Sequence, residues 1–434
     1  MTSEPGSTAD KAAETKRAIE AVWRIESARL VATLVRMVGD ISLAEELAQD
    51  ALVEALEQWP QSGIPRNAGA WLTATAKRRA IDSWRRKERL GKKYGMLAHD
   101  LRTDERTALH PGDAAGETLD DPVGDDLLRL IFIACHPVIS RQARVALTLR
   151  LLGGLSTEEI ARAFLTPPAT LAQRIVRAKR TISDAQVPFE VPSCAEFGAR
   201  LSSVLEVIYL VFNEGYSATA GDDWMRPALC EEALRLGRVL AGLIPNQPEV
   251  HGLVALMEIQ ASRRGARTNR SGEPVLLLVQ DRSRWDQLLI RRGLTALARA
   301  EAEARGAGPG PYLLQASIVA CHARARRAAD TDWAQIAALY DQLARLTPSP
   351  VVELNRAVAV SMAAGPAEGL RIVDAIVATG ALTRYHLLPA VRGDLLLKLG
   401  RSAEARDEFE RAAALTQNER EQALLRARAS GDRR

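Results

Sequence analysis

Thr170, Gln173, Arg174, Arg177 and Arg180 occupy neighbouring turns of a stretch, Pro168 to Ile182, that holds no acidic residue. Guanidinium groups spaced in this way can reach phosphate oxygens and base edges, and the threonine and glutamine add neutral hydrogen-bonding groups. A second basic cluster lies upstream. Nine lysines and arginines fall between Lys77 and Lys93, opposed only by Asp82 and Glu88, with Trp84 among them. Basic side chains beside an aromatic ring suit phosphate contact and base stacking. Other chemistries lack their residues. There is no glycine-rich phosphate loop, no metal-ligand cluster and no nucleophile–base–acid set, so no catalytic residue, metal or cofactor is expected. The cysteines Cys135, Cys194, Cys230 and Cys321 are widely spaced without a CxxC pair. The adjacent pairs Cys135–His136 and Cys321–His322 read as buried structural groups.

The elements that must hold these residues can be read from local signals. Ser156 and Glu159 form a capping box at the start of a short helix carrying Ile160, Ala161 and Phe164. Pro167 and Pro168 stop that helix and pre-set the next. In the second helix Leu171, Ile175, Ala178 and Ile182 recur at spacings of three and four and face inward. This is the pattern of a helix-turn-helix, whose second helix enters the major groove of DNA. The upstream basic cluster ends a helix predicted from Ala68 to Leu90 and packed through Trp71, Leu72, Ala76 and Ile81. Before it, a turn at 60–67 follows a helix capped by Ser42, whose outer face is acidic: Glu45, Glu46, Asp50, Glu54 and Glu57.

The chain has 434 residues, 47% of them apolar and only 4% aromatic, with a mean hydropathy of −0.11 and a net charge of +4. Good helix formers dominate and no alternating strand pattern occurs, so the fold class is all-α. Residues 1–14 are predicted as a disordered tail, 15–91 as a first helical domain and 92–124 as a flexible linker, acidic from Asp113 to Asp126. The helix-turn-helix domain covers 125–188 and a helical extension 195–434. Ala357, Ala364, Gly369, Val373 and Ile376 are followed at a period of 36 by Gly393, Gly400, Ala405, Phe409 and Ala412. That alternation of small and large positions is tetratricopeptide-like and points to another protein as a partner of the extension. The polar group Asn213-Glu214-Gly215-Tyr216 interrupts an apolar stretch, as a pocket lining or as helix-end turn chemistry. No apolar run approaches a membrane span and no secretory segment occurs, so the protein is expected in the cytoplasm, away from membranes.

Residues 17–187 resemble the extracytoplasmic-function sigma factors of bacterial RNA polymerase. The segment AEELAQD, Ala44 to Asp50, is similar to the helix with which that family docks on the core enzyme. The resemblance implies core-binding roles for Glu45, Glu46 and Gln49. RNAGAWLTATAKRRAIDSWRRKERL resembles the helix that melts and reads the −10 element, which implies contacts there from Arg78, Arg79, Arg85 and Arg86. The 60–67 turn becomes the candidate pocket for a flipped base. The helix-turn-helix resembles the domain that reads the −35 element through Thr170, Gln173, Arg174, Arg177 and Arg180. LLRLIFIACHP and VLEVIYLVFNEGYSA are similar to the subgroup with a long C-terminal extension. The implied partners are core RNA polymerase and promoter DNA. Leu165 stands where the family's turn usually has glycine, and Ala172–Gln173 replace a commoner basic or small polar pair, which leaves the −35 sequence open. A stand-alone transcription regulator and a tetratricopeptide-type scaffold are the alternative readings.

Overall fold

A computed structural model describes residues 8–99, 122–164, 166–216, 220–221, 225–269, 275–306 and 308–431. These residues are folded into eighteen α-helices, short 3-10 turns and a two-residue parallel bridge between Ala220–Gly221 and Gln417–Asn418. The all-α expectation holds. None of the described helices is long and apolar enough to cross a membrane. Two compact units divide the chain: residues 1–162 with 166–204, and 163–165 with 205–434.

The first unit opens with α1 (Thr8–Val38), α2 (Ile41–Ser62) and α3 (Ala68–His99). Helix α1 starts inside the stretch expected to be a disordered tail, because Ala9, Ala12 and Ala13 beside Lys11 and Glu14 are good helix formers. Gly39, with φ of +68°, ends α1. The cap of α2 is Asp40, not Ser42: its backbone is extended and its carboxylate accepts from the Leu43 amide at 2.7 Å. The inward stripe of α2 is Ile41, Ala44, Leu47, Ala48, Ala51, Ala55 and Trp59. Val53 and Leu56 are exposed because they lie off that stripe. Helix α2 runs on to Ser62, which shortens the expected 60–67 turn to 63–67. Asn67 then caps α3, accepting from the Ala70 amide at 3.0 Å. Helix α3 buries Leu72, Ala76 and Ala80 rather than Ile81, and continues through His99 into the expected linker.

The unit continues with α4 (Pro122–Ala134), α5 (Arg141–Leu151), α6 (Thr157–Ala163), α7 (Pro168–Asp184) and the first half of α8 (Cys194–Tyr216). Helix α4 packs on α1, and one acid fixes the contact. Asp126, only 1% exposed, meets Arg36 of α1 at 3.0 Å and Arg129 at 3.1 Å. It is therefore a buried clamp and not part of a flexible acidic linker; residues 100–121 of that linker lie outside the described residues. Residues of α8 up to Val204 belong with this unit. Arg200 donates to the Phe132 carbonyl at 2.9 Å and Ser203 to the Cys135 carbonyl at 2.7 Å.

The second unit contains α9 (Pro227–Leu243), α10 (Pro248–Ser262), α11 (Gln287–Glu303), α12 (Pro311–Arg324) and α13 (Trp333–Leu346). It ends with α14 (Pro350–Ala364), α15 (Pro366–Ala378), α16 (Leu387–Lys398), α17 (Ser402–Leu415) and α18 (Glu419–Ala429). Five of these helices begin with proline, which already lacks the amide hydrogen that a first turn leaves unpaired. Helix α10 is buried on nearly all sides and packs against α9, α11 and α12. The period of 36 corresponds to the pairs α14–α15 and α16–α17. Gly369 lets α15 approach α14 closely: a Cβ there would meet the Ser361 Cβ at 2.5 Å and the Ala357 carbonyl at 2.8 Å. At the next repeat Gly393 lies against Phe409, whose ring is 1% exposed.

Candidate nucleic-acid interface

The helix-turn-helix is built as its sequence signals require. The Ser156 hydroxyl accepts from the Glu159 amide at 3.1 Å, and the Glu159 carboxylate accepts from the Ser156 amide at 2.8 Å. Such a reciprocal box is worth about 1 kcal/mol. Leu171, Ile175, Ala178 and Ile182 of α7 are all buried. Burying that stripe turns Thr170, Gln173 and Arg177 outward, with Arg174 half-buried beside them. These four side chains line one wall of a cleft of ≈ 350 Å³, and Val138, Ile139, Ser140 and Ala143 line the other. The second wall was not foreseen. Its signal was available in the sequence: Ser140 caps α5 by accepting from the Ala143 amide at 3.3 Å. Arg180 lies apart from the cleft, exposed and 3.4 Å from Asp184.

The −10 candidates separate on α3. Arg78 and Arg85 are exposed, and Arg85 lies 4.0 Å from Asp82. Arg79 turns toward α2 instead. It meets Glu54 at 2.9 Å and Asp50 at 3.2 Å. The Glu54 hydrogen bond is the main cause that pushes its guanidinium above the ordinary arginine range. The side chain of Arg86 lies outside the described residues. At the 63–67 loop Arg66 and Asn67 are exposed, and Trp59 meets Trp71 edge-on with centroids 5.3 Å apart behind it.

The core-binding candidates also separate. Glu46 and Gln49 are exposed, and with Val53 and Leu56 they form one outward face of α2 at helical spacing. Glu45 is covered, retaining 12% of its side-chain exposure. Its carboxylate is held by Arg150 of α5 and Lys179 of α7 and accepts from Gln49 at 3.3 Å. The acidic helix is thus tied to the back of the helix-turn-helix. Lys179, away from the cleft-lining side chains of α7, carried no sequence signal for this role.

Three families match the chain in series. Residues 24–90 match sigma-70 region 2, residues 129–182 match sigma-70 region 4, and residues 200–301 match a family of unknown function, DUF6596. The order of the two sigma regions, on the two sets of helices described above, decides the assignment. The chain belongs to the extracytoplasmic-function sigma factors. It carries a C-terminal extension, binds core RNA polymerase and promoter DNA, and directs transcription initiation. The chain is 29% identical to the probable ECF RNA polymerase sigma factor SigI of Mycobacterium tuberculosis, over 40% of this chain and 57% of that protein. It is 28% identical to the RNA polymerase sigma-H factor of Pseudomonas aeruginosa, over 40% of this chain and 88% of that one. An uncharacterised protein of Rhizobium meliloti is 43% identical over 91% of this sigma factor and 90% of its own length, so that likeness runs through the extension. Sigma factors are not known as enzymes.

Proposed function

We propose that residues 15–91 serve as the region that binds core enzyme and the −10 element, and residues 125–188 as the region that reads the −35 element. Thr170, Gln173, Arg174 and Arg177 act in the major groove; Arg180, on the same helix, contacts phosphate. The exposed arginines Arg78 and Arg85, followed by Arg86, engage the −10 region. Arg79 organises α3 on α2, since its charge is already matched by Glu54 and Asp50. Core polymerase docks on Glu46, Gln49, Val53 and Leu56, and docking competes for Glu45 with Arg150 and Lys179. The observation that carries this reading is the outward face of α7. Its polar groups stand opposite a fully buried stripe and share a cleft with the start of α5.

The extension tunes this activity, and its tetratricopeptide-like repeats receive another protein. The factor works in the cytoplasm, without catalysis of its own. Run-off transcription with purified core polymerase tests the assignment. The full-length protein should start transcripts at defined sites. Arg174→Ala with Arg177→Ala should abolish −35-dependent starts, and removal of residues 205–434 should change the yield. Defined starts that survive the double substitution unchanged would refute the role given to α7.

A further inference from the structure

The second unit holds a group of cations that the sigma regions do not use. Arg263 follows the end of α10, and Arg282 lies in the 3-10 turn Arg282–Arg284 just before Trp285. Both guanidinium carbons lie over the Trp285 ring, at 5.8 Å and 4.9 Å from its centroid. Arg263 also stands 5.9 Å from the Tyr216 ring, which Arg267 covers at 3.7 Å. Tyr216 is the last residue of the polar group noted in the sequence. His322, 7% exposed on α12, feels both Arg263 and Arg282.

Acids do not balance this group. Among the described residues no carboxylate pairs with Arg263. The nearby Glu231 is taken by Arg264 at 3.0 Å. Asp330, which bears on Arg282 from a distance, is paired with Arg327 at 2.8 Å. Donors are also left over. The indole Nε1 of Trp285, a residue 3% exposed, has no hydrogen-bond partner, nor do Arg263 Nε and Arg282 Nε. The other nitrogens of Arg282 are used in the fold, donating to the His322 and Ala325 carbonyls at 2.7 and 2.6 Å and to Thr331 at 3.1 Å. Buried donors without acceptors are rare and costly. Two unneutralised cations beside them ask for an acceptor that carries negative charge, which water does not.

We propose that Arg263, Arg282 and the Trp285 indole form a binding site for a phosphate-type oxyanion in the extension. Three N–H groups without a partner belong to the Trp285 ring and to the two arginines whose guanidinium carbons lie 5.8 Å and 4.9 Å from its centroid. A tetrahedral anion with several acceptor oxygens and close to two charges meets them better than a planar, singly charged carboxylate. The site concerns the extension alone and stands whatever roles the sigma regions have.

Full-length protein with 15N-labelled tryptophan tests it by titration with inorganic phosphate against chloride at constant ionic strength. The Trp285 indole resonance, assigned by its loss in Trp285→Phe, should shift saturably, and the thermal midpoint should rise. Arg263→Gln should weaken the response at least tenfold, and its melting in chloride, where the contacts with the Trp285 and Tyr216 rings are lost, gives the baseline for reading any phosphate-induced rise. The His322 titration should move upward on binding in wild type and stay fixed in the variant. Inorganic phosphate binding better than a nucleoside monophosphate would identify the free ion as ligand, and the reverse a phosphorylated molecule; either sustains the site. An indole that does not respond, an equal response in Arg263→Gln, or equal saturation by acetate would overturn it.

Discussion

The arginines of the first unit and those near Trp285 in the second are neutralised in opposite ways. In the first unit Arg177 faces solvent, while Arg79 is matched by Glu54 and Arg150 by Glu45. In the second, Arg263 is half-buried between two aromatic rings without a carboxylate. Charge counted along the sequence marks the first group as the functional one and passes over the other. The difference teaches that the partner of an arginine, more than its number of basic neighbours, shows whether its charge is available. On the roles proposed above, the solvent-facing arginines meet DNA, the acid-paired ones hold helices together, and the ring-bound Arg263 and Arg282 receive an oxyanion.

The comparison can be broken most forcefully on the first side. Arg174→Ala with Arg177→Ala should cut promoter binding by the holoenzyme about 30-fold or more, taking at least about 1 kcal/mol for each contact. The thermal midpoint should not move, since neither side chain joins the buried stripe of α7. A fall in binding that merely follows a fall in stability would place both residues with Arg79 as structural.

The second side is sharpened by pH. Burial first, then Arg263 and Arg282, lowers the His322 pKa from 6.5 to about 4. The folded protein therefore keeps His322 neutral where the unfolded chain binds a proton. Stability is unaffected above about pH 6.5 and is lost as pH falls from there toward 4, by about 3 kcal/mol in all. Urea unfolding of wild type and His322→Phe across this range should show the steeper loss in wild type. Parallel curves would mean that the buried, cation-flanked setting of His322 is not formed.

A packing test separates the repeats from both arginine groups. Gly369→Leu would drive a side chain into Ser361 and the Ala357 carbonyl and should cost about 1–3 kcal/mol. At Gly393 a Cβ would meet the Phe409 ring at 3.0 Å and the Ala405 carbonyl at 3.2 Å, both longer than the two closest contacts at Gly369, so Gly393→Leu should cost less. Denaturation midpoints rank the two, and an inverted order would contradict the α14–α15 contact.

The smallest effect concerns the acid that links the helix-turn-helix to α2. Glu45→Gln should release Arg150 and Lys179 and raise promoter binding by the core-free protein about two- to five-fold, as expected for weakening a partly exposed ion pair. Unchanged affinity in a gel-shift titration would show that these contacts do not restrain DNA binding.

Local and periodic features were settled by the sequence alone. The Ser156–Glu159 box, the proline starts, the buried stripe of α7 and the repeat of 36 residues depend on interactions within a few turns, so residue type and spacing suffice for them. The two sigma regions were legible for the same reason. Tertiary packing decided which member of each polar set is free. Glu45 and Glu46 are adjacent and chemically alike, yet only Glu45 meets cations more than a hundred residues away. Asp126 reads as one more acid of a linker until Arg36 and Arg129 enclose it. Arg263 reads as one more surface base until two rings from distant segments close around it. Long-range contacts set the local dielectric and the choice of counter-ion, and neither is written in the spacing of residues along the chain.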